Sequence, residues 1–226
     1  MTMPTPLTQN EKRKGLFYLA FNLFVLPSLT GLVRDLLSLD AAQANVCYNA
    51  VNFLFILLIF RKFLLQNMKV ALDRVFPVIW YGILGYLGFQ TLGELISGLI
   101  YTLAPEFVNL NDYSVAIMVQ QNPLFALSII TLVPVTEEVL YRGLVFRGLY
   151  DKNPTLAYLV SVLLFAAIHV ANFIGYLSPV HLLVSLIQYL PAGYCLCFAY
   201  RRSGTILCPI LIHMAINAIS VLTYMR

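Results

Sequence analysis

The chain has 226 residues, of which 60% are hydrophobic and 11% are charged, with a net charge of +4. A soluble globular domain carries roughly 25% charged residues, so this composition excludes an ordinary soluble protein and indicates several passages through a lipid bilayer. We attribute the positive charge to membrane topology and expect no nucleic-acid partner. About seven helices of roughly 20 residues account for the length as a single membrane domain, 1–226.

Seven apolar stretches follow one another along the chain. Lipid offers no hydrogen bonds to the backbone, and the stretches are too long and continuous for the alternating strands of a barrel. They therefore predict an all-α polytopic membrane helix bundle. The expected spans are 15–33, 45–60, 76–103, 124–147, 155–172, 180–200 and 205–224.

Two connections and the N-terminus have their own expected structures. Residues 63–74 mix apolar and basic residues at helical spacing, which predicts a helix along the membrane surface. Residues 104–122 are expected to be the longest external connection. The first apolar run follows a basic cluster but is long for a secretory signal and lacks a small-x-small cleavage site, so we expect a retained span.

The basic residues are distributed unevenly across the expected membrane. Cytoplasmic loops accumulate Lys and Arg, so this asymmetry predicts an N-terminus inside and a C-terminus outside. Arg34 and Arg226 fall on the outer side, and Arg142 falls within a span. Eleven of the fourteen basic residues fall on the inner side: Lys12, Arg13, Lys14, Arg61, Lys62, Lys69, Arg74, Arg147, Lys152, Arg201 and Arg202.

Several polar residues of the second and third spans are interpreted as packing groups. Asn45, Asn49 and Asn52 repeat at i, i+4 and i+7, a spacing at which amides hydrogen-bond between membrane helices. Gln90 and Glu94 are one turn apart. We favour a buried hydrogen-bonded pair for them, with a wall of a functional site as the alternative.

The fourth span carries three ionisable residues, which are costly in a membrane and by default mark a functional site. Glu138 and Arg142 are i, i+4 neighbours and are expected to form an ion pair. Glu137 is rotated by about 100° from Glu138 and has no basic partner on its own helix. An unpaired carboxylate in a water-poor site is a candidate general base.

Two further spans present polar faces to a common site. Phe165 and His169 share a helix face in the fifth span, as do His213 and Asn217 in the seventh. A lone histidine on an apolar helix is more often a satisfied interior residue, but three such faces favour one cavity between the fourth, fifth and seventh spans. Counted from the neighbouring basic residues, Glu137 and His213 lie at similar depths, whereas His169 is expected to lie deeper.

The three motifs resemble, in their order, those of the CPBP intramembrane proteases, also called the Abi or CAAX-protease family. They are Glu-Glu-x-x-x-Arg at 137–142, Phe-x-x-x-His at 165–169 and His-x-x-x-Asn at 213–217. The resemblance covers 124–224, the expected catalytic core helices, and leaves 1–120 as scaffold. It implies a multi-pass endopeptidase of the bacterial plasma membrane that hydrolyses a membrane-associated peptide or protein, as type II CAAX prenyl endopeptidases do.

The resemblance also implies a role for each motif residue. Glu137, aided by His169, activates a water that attacks the scissile carbonyl. His213 and Asn217 stabilise the oxyanion. The residues that support this machinery are Glu138 and Arg142, which hold the helix of the first motif in register, and Phe165.

Two alternatives stay open. Glu137, His169 and His213 could bind Zn²⁺, with Glu138 as the base; the lack of a His-Glu-x-x-His motif favours a site without a metal. A non-enzymatic protein, such as a transporter or a scaffold of the bacteriocin-immunity type, could use the same buried residues to relay protons or to fix helix packing.

Overall fold

The computed structural model describes residues 5–225, so residues 1–4 and Arg226, which entered the charge count, lie outside the described part. The described chain forms ten helices and no strand, which confirms the predicted all-α polytopic bundle. The helices are α1 Gln9–Phe24, α2 Leu26–Leu36, α3 Ala41–Ile59, α4 Arg61–Asp73, α5 Val75–Leu103, α6 Leu110–Gln121, α7 Pro123–Tyr150, α8 Pro154–Val170, α9 Pro179–Ser203 and α10 Leu207–Tyr224.

Six helices, α3, α5 and α7 to α10, are each long and apolar enough to cross a membrane. The predicted span at 15–33 is present as two helices, α1 and α2, with a 50° bend between them. Pro27 lies in the first turn of α2, where its missing N–H is tolerated. In a continuous helix the same proline would remove the bond to the carbonyl of Leu23, which explains the break. Counted as one broken span, the pair gives seven.

The expected surface helix at 63–74 is present as α4. Its Asn67 is fully buried and fixes the turn before α10, where the side-chain Oδ1 accepts the N–H of Ile206 at 2.9 Å. The hydroxyl of Thr205 donates to the carbonyl of Asn67, also at 2.9 Å. The helix is thus held against the bundle by hydrogen bonds as well as by its apolar face.

The expected connection at 104–122 contains a helix, α6, over most of its length. Asn109 supplies the cap that starts α6, because its side-chain oxygen accepts the N–H groups of Asn111 and Asp112. Near its end, Gln120 Nε2 donates to the carbonyl of Tyr224 at 2.9 Å. The helix therefore packs along the bundle.

The bundle has two chemically different ends. We call the end with the basic clusters the basic end; there Glu11 Oε1 accepts the N–H of Phe63 at 2.8 Å and ties α1 to α4. At the opposite end, Asn109 Nδ2 donates to Gln188 Oε1 at 2.7 Å and ties the start of α6 to α9. The N-inside orientation stays a prediction.

Helix α7 is the most enclosed span. Half of its most apolar 18-residue stretch is buried inside the bundle, against 39% or less for the other spans. From Val139 to Phe146 its turns widen into a π-helix, and every residue from Val139 to Leu144 is buried. Long π-helical segments are rare and occur mostly at functional sites. Because α7 is surrounded, its polar side chains meet different neighbouring helices.

Helices α8 and α9 approach closely at Gly193. A Cβ atom at this position would lie 3.0 Å from Val162 Cγ1 and 3.2 Å from Val162 Cα, which is backbone. The approach therefore depends on the missing side chain.

We expect Gly193→Ala to destabilise the protein by about 1–3 kcal/mol, because the helices must separate to admit the methyl group. The thermal unfolding midpoint in detergent measures the effect. Gly98→Ala is the matched control, since a Cβ at Gly98 meets no atom within 4 Å. Equal midpoints for the two variants would contradict the close approach.

Candidate active site

A cavity of about 510 Å³ lies between α5, α6, α7, α8, α9 and α10. We call it the histidine cavity, because His169 and His213 line it together with Glu137, Phe165 and Asn217. The structure thus brings residues of all three motifs to one cavity, as the sequence predicts. Helices α6 and α9 were not expected in its wall, and α5 was expected there only as the alternative for Gln90 and Glu94.

The expected depth difference of His169 is wrong. Measured from the ends of the helices, Glu137 lies 13 residues before Tyr150, and His169 lies 15 residues after Pro154. At about 1.5 Å per residue the two depths differ by roughly 3 Å. The sequence estimate was in error because Arg147 lies inside α7, not at its end.

The predicted ion pair of Glu138 and Arg142 is confirmed. Both side chains are 0% exposed, and Arg142 Nη1 donates to Glu138 Oε1 at 2.9 Å. The same oxygen contacts His213 Nδ1 at 2.9 Å. Arg142 Nη2 also donates to the carbonyl of Gly193 at 3.2 Å, and the guanidinium carbon lies 4.2 Å from the ring centre of Phe165. One buried charge cluster therefore joins α7, α8, α9 and α10.

Both cavity histidines are oriented through Nδ1. His213 contacts a carboxylate oxygen of Glu138, and His169 contacts the carbonyl oxygen of Phe165 at 2.8 Å. An ionised carboxylate and a carbonyl can only accept, so we assign the proton to Nδ1 in each ring. Nε2 of each histidine is then left for chemistry.

Glu137 differs from Glu138 in that no described side chain holds its carboxylate. Among the side chains of residues 5–225, Oε2 of Glu137 is buried and has no hydrogen-bond partner. Oε2 of Glu138 is also buried without one, but its Oε1 is held by Arg142 and His213. Buried polar atoms are normally paired, so Glu137 is the carboxylate that is available to a water or a substrate.

Asn217 lines the histidine cavity and also braces α7. Its Nδ2 donates to the carbonyl of Ile129 at 2.7 Å, beside the helical segment interrupted by Pro134. An amide nitrogen carries two hydrogens, so one remains for a ligand. The expected oxyanion role of Asn217 stays a prediction.

Tyr189, which the sequence analysis missed, stacks on His169. The two ring centres are 4.3 Å apart with an interplanar angle of 27°. The hydroxyl of Tyr189 donates to Asp112 Oδ1 at 2.7 Å and accepts from Asn111 Nδ2 at 3.0 Å. The start of α6 thus fixes a ring of α9 against a cavity histidine. Only the cap residue Asn109 signals α6, and no local pattern places it here.

The favoured interpretation of Gln90 and Glu94 as a buried hydrogen-bonded pair is wrong. Glu94 is exposed, and both residues line the histidine cavity. They are one turn apart on a face of α5 that meets the cavity instead of a neighbouring helix. The alternative, a wall of the site, describes them correctly.

The alternative zinc ligands, Glu137, His169 and His213, do not form a metal-binding group. Within the described range of 5–225, no three or more His, Cys, Asp or Glu side chains are arranged to hold a metal ion. His213 is turned toward Glu138 and His169 toward the carbonyl of Phe165. The residues present therefore do not fit the zinc site, and catalysis without a metal stays a prediction.

Residues 119–219, from the end of α6 into α10, match the family model "Type II CAAX prenyl endopeptidase Rce1-like". This segment is Rce1-like. The match contains all three motifs and confirms the resemblance drawn from them. The spanning helices make the chain a multi-pass membrane protein, and its segment 119–219 is similar to type II CAAX prenyl endopeptidases.

One curated relative also supports a membrane peptidase. A protein of Bacillus subtilis (strain 168) named "Putative membrane peptidase YdiL" is 27% identical over 113 residues. The aligned region covers 50% of this chain and 42% of that protein. No solved structure matches the chain.

We expect Arg142→Met to destabilise the protein by about 3–5 kcal/mol, because it leaves the buried Glu138 without its permanent cation. The double variant Glu138→Gln/Arg142→Met should recover part of this loss, since it buries no unpaired charge. Thermal unfolding in detergent measures both. Arg34→Met is the control, because the Arg34 and Asp35 side chains are 50% and 69% exposed and their pair contributes little. A midpoint for Arg142→Met equal to that of Arg34→Met would refute the argument.

A second prediction concerns Asp112, on α6 outside the spanning helices. Burial raises the pKa of Asp112 above its ordinary value of 3.8, and the hydrogen bond from Tyr189 opposes the rise. Between these two pKa values the folded state binds more protons than the unfolded state, so stability falls as pH rises through that window. Asp112→Asn, which still accepts from Tyr189, should unfold at a higher temperature than wild type at pH 7.

The gain of Asp112→Asn should disappear below pH 3.8, where the wild-type carboxyl becomes protonated in both states. Thermal unfolding in detergent between pH 4 and 7 measures the trend. A gain that stays constant over this range, or a loss at pH 7, would contradict the assignment.

Proposed function

We propose that the protein is an intramembrane endopeptidase that hydrolyses a peptide bond of a membrane-associated peptide or protein in the histidine cavity. One observation carries the proposal. Glu137, whose Oε2 has no partner among the described side chains, lines the same cavity as two histidines that are oriented through Nδ1. The match of residues 119–219 to the Rce1-like model supports the same chemistry.

In the proposed mechanism Glu137 is the general base. Its carboxylate removes a proton from a water while the water oxygen attacks the scissile carbonyl carbon, and Nε2 of His169 orients that water. The tetrahedral intermediate then expels the amine as the C–N bond breaks, and the proton held by Glu137 passes to the leaving nitrogen. One water is consumed, and a carboxylic acid and an amine are formed. A general base of this kind contributes about 10²–10⁴-fold.

The negative charge that develops on the carbonyl oxygen needs hydrogen-bond donors. His213 donates to this oxygen from Nε2 when that nitrogen carries a proton, while its Nδ1 stays in contact with Glu138. The free amide hydrogen of Asn217 is the second donor. Each donor in a water-excluded site contributes about 10²–10³-fold. Glu138 and Arg142 act as positioning residues, because they fix His213 and α7.

The location of the cavity bears on the side from which a peptide enters. Its lining includes Asn109 at the start of α6 and Tyr224 at the end of α10, both at the end opposite the basic clusters. With the N-terminus inside a bacterial plasma membrane, as we propose, this end faces outward. This location favours entry of the peptide from the outer face.

We expect Glu137→Gln to lower the rate of peptide hydrolysis by at least 100-fold, as expected for loss of a general base. The amide is nearly isosteric, so the variant should fold and insert normally. Mass spectrometry should find uncut peptides in membranes that contain the variant and not in membranes that contain the wild type. The purified wild type should then cleave those peptides, and the purified variant should not. Glu106→Gln, at an exposed loop position, is the control and should retain full activity.

The alternative of a non-enzymatic transporter or scaffold makes the opposite prediction. Membranes with wild type, Glu137→Gln and Glu106→Gln would then contain the same peptides. Full peptidase activity in Glu137→Gln would instead mean that the protein is an enzyme but that Glu137 is not its general base.

A further inference from the structure

A second cavity, of about 480 Å³, lies between α1, α2, α3, α7 and the end of α8. We call it the asparagine cavity, because Asn45, Asn49 and Asn52 line it. These residues pack between helices, as predicted, and they also line a cavity. Asn49 Nδ2 donates to Ser128 Oγ of α7 at 3.0 Å, yet the same amide borders the cavity.

The two cavities meet at Glu137. Three residues, Val133, Glu137 and Ile168, line both of them, and the two others are apolar. Oε2 of Glu137 is buried and lacks a partner among the described side chains, and Glu137 is the residue with such an atom that lines both cavities. The carboxylate is therefore the polar group through which the contents of the two cavities can interact.

The asparagine cavity has the lining of a hydrated space. A polar cavity holds ordered water, and at roughly 30 Å³ per molecule this volume accommodates on the order of ten waters. The exposed residues Ala41 and Asn172 place one edge of the cavity at the bundle surface, at the end opposite the basic clusters. Its polar lining residues are Asn22, Thr30, Arg34, Asn45, Tyr48, Asn49, Asn52, Thr136, Glu137, Tyr141 and Asn172.

Hydrolysis requires a peptide and a water at the same place. A peptide whose carbonyl reaches His213 occupies the histidine cavity and expels water from it. The surrounding lipid cannot replace that water. A second, hydrated cavity that borders the same carboxylate can supply water to Glu137 while the peptide fills the first cavity.

We propose that the asparagine cavity is a water chamber that delivers the hydrolytic water to Glu137 while the peptide occupies the histidine cavity. This inference rests on the proposed endopeptidase function. The water crosses between Val133 and Ile168, loses its proton to Glu137 and forms the new C–O bond of the tetrahedral intermediate. The C–N bond of that intermediate then breaks as the proton passes to the leaving nitrogen. The chamber is refilled from the surface near Asn172.

The test fills the chamber from a position that tolerates side chains. Gly31 lines the asparagine cavity, and a Cβ there would meet no atom within 4 Å. The series Gly31→Ala, Gly31→Leu and Gly31→Phe therefore adds apolar volume of increasing size from a position where the first added carbon has open space. We expect kcat to fall progressively, by at least tenfold for Gly31→Phe, with KM for the peptide unchanged. Thr30→Leu, at a neighbouring lining position, should act in the same direction.

Two controls separate the chamber from the peptide site. Gly82→Phe adds the same volume where a Cβ also meets nothing within 4 Å but outside both cavity linings, and it should leave kcat and KM unchanged. Gly93→Leu adds volume to the histidine cavity and should raise KM. Thermal unfolding in detergent checks that each variant is folded.

The outcomes distinguish failure of this inference from failure of the proposed function. If wild type cleaves and Glu137→Gln does not, but folded Gly31→Phe and Thr30→Leu keep kcat within twofold, the cavity supplies no water. If they raise KM instead, the cavity binds peptide and the inference is wrong. If wild type cleaves no peptide, or Glu137→Gln cleaves normally, the proposed function itself fails.

Discussion

The structure depends on a buried charge that must be neutralised inside a membrane. Glu138 and Arg142 are both fully buried, and a membrane interior makes either charge alone very costly. Their pairing is completed by His213 and by the carbonyl of Gly193. The helices that carry these groups cannot separate without exposing an unpaired charge to lipid, so the cluster fixes the relative positions of α7, α9 and α10. The cavity walls are built on those positions.

Two adjacent carboxylates perform different tasks because a helix turns by about 100° per residue. Glu138 faces Arg142 and is held by partners, whereas Glu137 faces the two cavities and keeps one oxygen free. A single shift of register would exchange them. The many partners of Glu138 therefore also ensure that Glu137, and not its neighbour, is presented to the peptide.

The sequence predicts what depends on composition and on residues close together in the chain. The spans follow from hydropathy, and the Glu138 and Arg142 pair follows from its i, i+4 spacing. The grouping of His169 and His213 with Glu137 follows from the cost of burying each separately, with the family resemblance as support. The contacts of α6 could not be predicted, because they join residues about 80 positions apart, as between Asp112 and Tyr189. The break at Pro27 had a local signal, but the length of the apolar run obscured it.

Gly193 limits how such a site can change. Its missing side chain lets α9 approach Val162, and its carbonyl accepts a hydrogen bond from Arg142. Two independent structural constraints therefore act on this one residue. The walls formed by the motif helices are consequently rigid. Helix α5 is different, because Gln90, Gly93 and Glu94 line the cavity on a helix that is mostly exposed to lipid. Substitutions that adapt the cavity to peptides of another size or charge should therefore cost the least stability on α5, away from the reacting groups.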